Sequence, residues 1–140
     1  MVETRGEYSL HPIGYIRSTL RALDEAPRQG AEGAPFAWLE VNEAFARGLF
    51  RIVKGDELIV VTWLHRADRG VLEVHPRGDP GIPLTGVFAT RSPDRPNPLG
   101  LHRVTVREIS GTRLQIGPLE AIDGTPVVDI KAVLVESGDS

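Results

Sequence analysis

The chain has 140 residues, no cysteine and a formal net charge of −3, with 41% hydrophobic and 25% charged residues. That length is close to the commonest size of a single domain, and it buries roughly 68–70% of the surface the unfolded chain exposes, enough to hold a core without staples. Lack of cysteine excludes a disulfide framework and a thiolate metal centre, and the acidic balance argues against a wholesale polyanion binder while leaving local patches open.

Residues 1–10 carry Glu3, Arg5 and Glu7 where a secretory signal needs an apolar run, so a cytoplasmic protein with one domain over residues 1–140 is expected. Fifteen glycines and 11 prolines punctuate the chain too often for long helices and favour short strands. The first strand is expected over 8–17, followed by a loop over 21–35 and a helical turn over 42–50 that Asn42 caps, with Phe45 and Leu49 one turn apart. Residues 57–64, Glu-Leu-Ile-Val-Val-Thr-Trp-Leu, are dense in β-branched and aromatic side chains and predict a strand buried on both faces. The apolar part of this run, from Leu58 to Leu64, is the longest in the chain and far short of the ~20 residues a membrane helix needs. Further strands are expected over 71–75, 85–89, 101–109, 113–116 and 127–135, with a loop over 76–83, a hairpin turn at Ser110-Gly111 and a turn at Asp123-Gly124. Many short strands and one helical turn predict an all-β fold, barrel or sandwich.

Neither Gly-x-Gly-x-x-Gly nor Gly-x-x-x-x-Gly-Lys occurs, so both common glycine-rich routes to a nucleotide are unsupported. His65, His75 and His102 fall on three different expected elements without ligand spacing, and no metal site is expected. Ser92, Asp94 and His102 supply the residue types of a hydrolase triad but lack the nucleophile-elbow motif. The densest segment is Ala89-Thr90-Arg91-Ser92-Pro93-Asp94-Arg95-Pro96-Asn97-Pro98-Leu99-Gly100. Pro93, Pro96 and Pro98 stiffen this loop before anything binds, and they leave the side chains of Arg91, Ser92, Arg95 and Asn97 as its polar equipment. It reads either as a rigid crossover whose arginines face water or as a grip for an anion. A second dense segment runs from Gly117 to Lys131, where Asp129 and Lys131 read either as ligand groups or as an exposed ion pair. Only Lys54 and Lys131 of the 16 cationic residues are lysines, and arginine's fork suits fixed recognition of carboxylate or phosphate. Between Arg91 and Arg107 stand four arginines against the single acid Asp94, which predicts a one-sided basic face.

On these segments the chain resembles the TrmO family, also called YaeB or TsaA-like, of tRNA N6-threonylcarbamoyladenosine methyltransferases. The likeness runs in order through Ile13-Gly14-Tyr15-Ile16-Arg17-Ser18, Ala26-Pro27-Arg28-Gln29, Trp63-Leu64-His65, Gly86 to Ser92, Arg95-Pro96-Asn97-Pro98-Leu99-Gly100 and Asp123-Gly124-Thr125-Pro126 to Lys131. It implies a small antiparallel β-barrel with one short helix and long loops, S-adenosylmethionine as cofactor, tRNA as substrate, and a homodimer. It further implies that the cofactor meets Arg28, Gln29 and Gly30, His65 and Arg66, Arg91, Leu101, and Gly117, Pro118, Leu119 and Glu120. Arg91 would grip the cofactor carboxylate, Glu120 its ammonium or ribose hydroxyls, and Leu101 with Leu119 would wall the adenine, while Arg95, Asn97, Asp129 and Lys131 are expected toward the substrate. Departures are Glu120 where many members carry aspartate, and Ala132-Val133 where many carry Pro-Tyr. Full-length members continue into a C-terminal domain that would begin about where this chain ends. Methylation of a smaller molecule and cofactor binding without catalysis are the competing expectations.

Overall fold

In β1 (Gly14–Arg17) and β2 (Ala37–Val41) every second residue is buried, which is the alternation a half-covered strand needs. The computed structural model describes residues 6–18 and 35–134. The remaining strands are β3 (Glu57–Trp63), β4 (Glu73–Val74), β5 (Thr85–Gly86), β6 (Leu99–Ser110), β7 (Arg113–Gly117) and β8 (Pro126–Ala132). Six of them close a barrel in the order β1-β2-β7-β6-β3-β8, with β8 returning to β1 and every pairing antiparallel. Closure leaves no open edge within the barrel itself. The short pair β4 and β5 stands apart from it.

The barrel interior is filled by Ile16, Leu39, Val60, Val104, Val106, Leu114, Ile116, Leu119 and Val127, each at most 2% exposed. Burial of each such side chain is worth about 1.5–3 kcal/mol, and these residues carry most of the fold's driving force. On β3 the side chains of Leu58, Val60 and Thr62 are all buried, and Val61 on the opposite face is covered too, whereas Ile59 is only half-buried. The expectation of a strand covered on both faces therefore holds for Val61 and fails in part at Ile59. Bulges interrupt the ladder between Val106 and Glu108 of β6 and opposite Val61/Thr62 of β3.

Several local expectations shift. Residues 8–12 do not join β1: they are exposed, and Pro12 has no N–H to extend the ladder, whose neighbouring bond from the Ile13 N–H to the Val127 carbonyl is 2.7 Å long. The helical turn is a 3-10 segment, Glu43–Leu49, capped as expected by Asn42, whose side chain accepts from the Ala44 N–H at 2.9 Å. Only Leu49 of the expected apolar pair packs on the core; Phe45 is exposed. Residues 85–89 split into β5 and a 3-10 turn at Val87–Ala89. The strand that sequence reading omitted is β2, which pairs with both β1 and β7. At the expected hairpin, Ser110 pairs with Arg113 across Gly111-Thr112, and Gly111 takes φ +62°, the left-handed value a turn of this kind asks of its first central residue.

Candidate functional site

One end of the barrel interior is polar. Thr62 on β3 is opposite Gly100 on β6, and Val60 is opposite His102, so Thr62 and His102 are diagonal neighbours across the ladder. Both are buried, at 0% and 6% exposure, and Thr62 Oγ1 lies 2.7 Å from His102 Nε2. The other ring nitrogen, Nδ1, is 3.2 Å from Oε1 of Glu120. Glu120 comes from the segment between β7 and β8, where Leu119, Ala121 and Ile122 turn into the core and leave the Glu120 side chain 29% exposed. Burial pushes its carboxyl upward, but the hydrogen bond from His102, the positive charge of that ring when protonated, the residue's own backbone N–H and the charge of Arg91 together outweigh burial. The net effect holds Glu120 below the usual carboxylate range.

Arg91 is exposed at the start of the proline loop. The loop is held by its own polar groups as well as by proline. Thr90 Oγ1 donates to the Val87 carbonyl and accepts from the Ser92 N–H, and Ser92 Oγ accepts from the Asp94 N–H. Arg95 turns inward: Nε donates to the Ser92 carbonyl at 2.8 Å, and Nη2 to the carbonyls of Val87 and Thr90 at 2.8 and 2.7 Å. From the barrel side the Asp68 N–H donates to Asp94 Oδ1, and Arg69 donates to the Pro96 carbonyl and to Asn97 Oδ1 while its guanidinium lies 5.1 Å from the Trp63 ring.

His65 and Arg66 are exposed just beyond β3. Partial burial of the ring and the adjacent Arg66 charge both push His65 below the usual imidazole range. Leu101 is 52% exposed on the outer face of β6, and Pro118 is exposed, while Gly117 packs against the Phe36 ring. Leu119 is wholly buried in the core, whereas Leu101 is exposed on β6. Asp129 and Lys131 form an ion pair of 3.3 Å with side chains about half exposed, the geometry of a surface pair worth little. Arg28, Gln29 and Gly30 lie outside the described residues.

Three of the four arginines expected to form a basic face between Arg91 and Arg107 have partners within the chain. Arg95 is turned into its loop, Arg103 pairs with Glu57 at 2.8 Å, and Arg107, in the bulge of β6, lies 4.1 Å from the Phe36 ring. Arg103 and Arg107 are both exposed on the outer side of β6, each with a partner of its own. The described residues form two surface clefts. One of about 840 Å3 runs beside Phe50, Leu58, Arg103 and Leu134; another of about 580 Å3 reaches the proline loop through Trp63, Arg69 and Asn97. Thr62 and His102 are what sequence reading missed as a unit; the alternation of Gly100, His102 and Val104 directly after the proline loop was the available signal.

A closed antiparallel barrel with a carboxylate–imidazole–hydroxyl chain that runs from its core to the Glu120 side chain defines a small β-barrel unlike the doubly wound nucleotide-binding folds. The chain belongs to the family of the tRNA-methyltransferase O N-terminal domain, whose profile matches residues 15–139. It is 40% identical over 122 residues to an S-adenosyl-L-methionine-binding protein of Archaeoglobus fulgidus, covering 87% of this chain and 86% of that one. It is 38% identical over 128 residues to a probable S-adenosyl-L-methionine-binding protein of Methanocaldococcus jannaschii, covering 89% and 90%. Among solved structures, TrmO from Pseudomonas aeruginosa superposes with a TM-score of 0.73 at 30% identity, over 92% of this chain but only 57% of that longer one.

Proposed function

We propose that this chain binds S-adenosylmethionine and transfers its methyl group to N6 of threonylcarbamoyladenosine beside the anticodon of a tRNA, acting as a single-domain homodimer in the cytoplasm. The observation that carries the reading is Glu120, held by His102 at the barrel end and kept below the usual carboxylate range by that bond and by the charge of Arg91, on a chain whose relatives are named for binding that cofactor. The cofactor's amino-acid end is a zwitterion, so an arginine fork and an ionised carboxylate within electrostatic reach of one another match its two charges. Arg91 takes the carboxylate, and Glu120 takes the ammonium or the ribose hydroxyls. Leu101, exposed on the strand that carries His102, offers an apolar surface. His65 and Arg66, like Arg28, Gln29 and Gly30, are assigned to the site by family likeness.

S-adenosylmethionine supplies a methyl group activated by its sulfonium. The chain's own work is positioning: the proline loop holds Arg91 in place, and fixing donor and acceptor in line accounts for most of the rate such a site can supply. Arg95, with Nε and Nη2 bound to loop carbonyls, shapes the loop, which leaves the threonyl carboxylate of the acceptor to other arginines. Asn97, Asp129 and Lys131 remain assigned to the substrate side. An unpaired base beside an anticodon can be splayed into a pocket and read on its edges.

A second reading, methylation of a smaller molecule, is favoured by the partners that Arg95, Arg103 and Arg107 already have within the chain. Titration calorimetry with S-adenosylmethionine, followed by mass spectrometry of threonylcarbamoyladenosine-containing tRNA after incubation with protein and cofactor, tests both. Binding with a 14 Da gain on that nucleoside is expected. Binding with no gain on tRNA at any salt concentration would leave the small-molecule reading or a non-catalytic binding module, and no binding at millimolar cofactor would overturn the proposal.

A further inference from the structure

Polar side chains in a barrel core are costly unless satisfied, and a buried polar network is often no more stable than apolar residues of the same shape. Thr62 and His102 stand among Val60, Val104 and Val106 in such a core, so packing alone does not call for them. Their outlet is Glu120: the chain of contacts runs from Thr62 Oγ1 through both ring nitrogens of His102 to Glu120 Oε1, and only the glutamate reaches solvent appreciably. The direction of the bonds follows from the end group. An ionised carboxylate can only accept, so Nδ1 must carry a proton; in the neutral ring Nε2 is then the acceptor and the Thr62 hydroxyl donates to it.

Gly100 closes the arrangement. A Cβ there would stand 2.6 Å from Thr62 Oγ1 and 2.9 Å from His102 Nε2, so the backbone of the strand leaving the proline loop is pressed against the two anchoring atoms. The glycine that ends the proline motif is therefore tied to the histidine two residues on.

We propose that His102, anchored by Thr62 under Gly100, is a positioning residue that holds the Glu120 carboxylate ready for the cofactor, an inference that rests on the reading of Glu120 as a cofactor-binding group. A glutamate on its own loses rotamer freedom when it binds; one already held through Oε1 loses less and presents its other lone pairs in a set direction. Removing an outer partner of this kind weakens binding on the order of tenfold where such partners orient ligating side chains.

The test compares S-adenosylmethionine affinity by calorimetry in the parent chain and in His102→Leu, His102→Asn and Thr62→Val, with thermal unfolding run alongside. His102→Leu is expected to weaken binding on the order of tenfold, Thr62→Val by a smaller factor, and His102→Asn, whose amide keeps a donor near the Nδ1 position, to recover most of the loss. Thr62→Val is close in shape, so it reports even where His102→Leu does not fold. Nitrogen-15 spectra of the parent should show the proton of His102 on Nδ1. Parent binding that all three variants match, or a proton on Nε2 alone in the neutral ring, overturns the positioning role while leaving the cofactor reading intact; a parent chain that binds no cofactor overturns both.

Discussion

At the scale of single residues, the two opposite charges of the proposed site have different supports. Glu120 is held from below by His102, whereas Arg91 is exposed and owes its place to the loop around it. Replacing Arg91 with lysine keeps the charge and loses the fork, so calorimetry should show S-adenosylmethionine binding weakened by about 1–3 kcal/mol. A lysine variant with parental affinity would make Arg91 a solvated loop residue. For Glu120 the sign of the pH dependence follows from its depressed acidity: a carboxyl bound less tightly to its proton when folded than when unfolded stabilises the fold above the usual carboxylate value of about 4.5. That contribution is lost as pH falls below this value and through the folded-state pKa. The melting temperature of Glu120→Gln should therefore lie below that of the parent at pH 6 and approach it as the pH is lowered past 4.5. A gap that persists unchanged through that range would remove the ionised carboxylate from the account.

The proline loop is the element on which the site depends, and its rigidity has two sources. Proline limits the backbone at positions 93, 96 and 98, but the loop's curvature is tied by Arg95, which joins three carbonyls from Val87, Thr90 and Ser92. A charged donor to three acceptors is worth more than any one proline, since each lost bond to a charged group costs about 1.5–3 kcal/mol where the acceptor is left unpaired, and water at this half-buried site recovers part of that. Hydrogen exchange over residues 87–95 should accelerate in Arg95→Ala while the barrel strands keep their protection, and Arg95→Lys should not restore it, because one ammonium cannot span the three carbonyls. Unchanged exchange in the alanine variant would hand the loop's stiffness back to the prolines.

For the whole molecule, the barrel closes its own strand edges but leaves large apolar side chains outside it. Phe50, Leu72 and Phe88 are 78%, 61% and 78% exposed. Light scattering at micromolar concentration should report roughly twice the monomer mass of 15.3 kDa, as a symmetric dimer requires. A monomer with full cofactor affinity would refute the dimer and any site shared across it. Arg95, Arg103 and Arg107 have partners within the chain, the loop carbonyls, Glu57 and the Phe36 ring.

Much of this was legible in the chain itself. Alternating apolar residues, glycine and proline punctuation and the Ser110-Gly111 turn determined an all-β fold, because side chains on a strand alternate by two and turns need particular residues. Proline spacing determined a stiff loop at residues 93–98, since each ring limits φ whatever the surroundings. The omission of β2 shows where local reading stops: Ala37-Trp38-Leu39-Glu40-Val41 alternates, but Ala37 is a weak strand former, Pro35 lies two residues before it, and pairing with β1 and β7 supplies what propensity does not. Arg91 and Arg95 are alike in local sequence, and only the closure of the loop leaves one exposed and turns the other onto carbonyls. His102 and Glu120 stand 18 residues apart and Thr62 another 40 before His102, so their meeting depends on barrel register; a hydrogen-bonded chain across three segments exists only once the strands have closed.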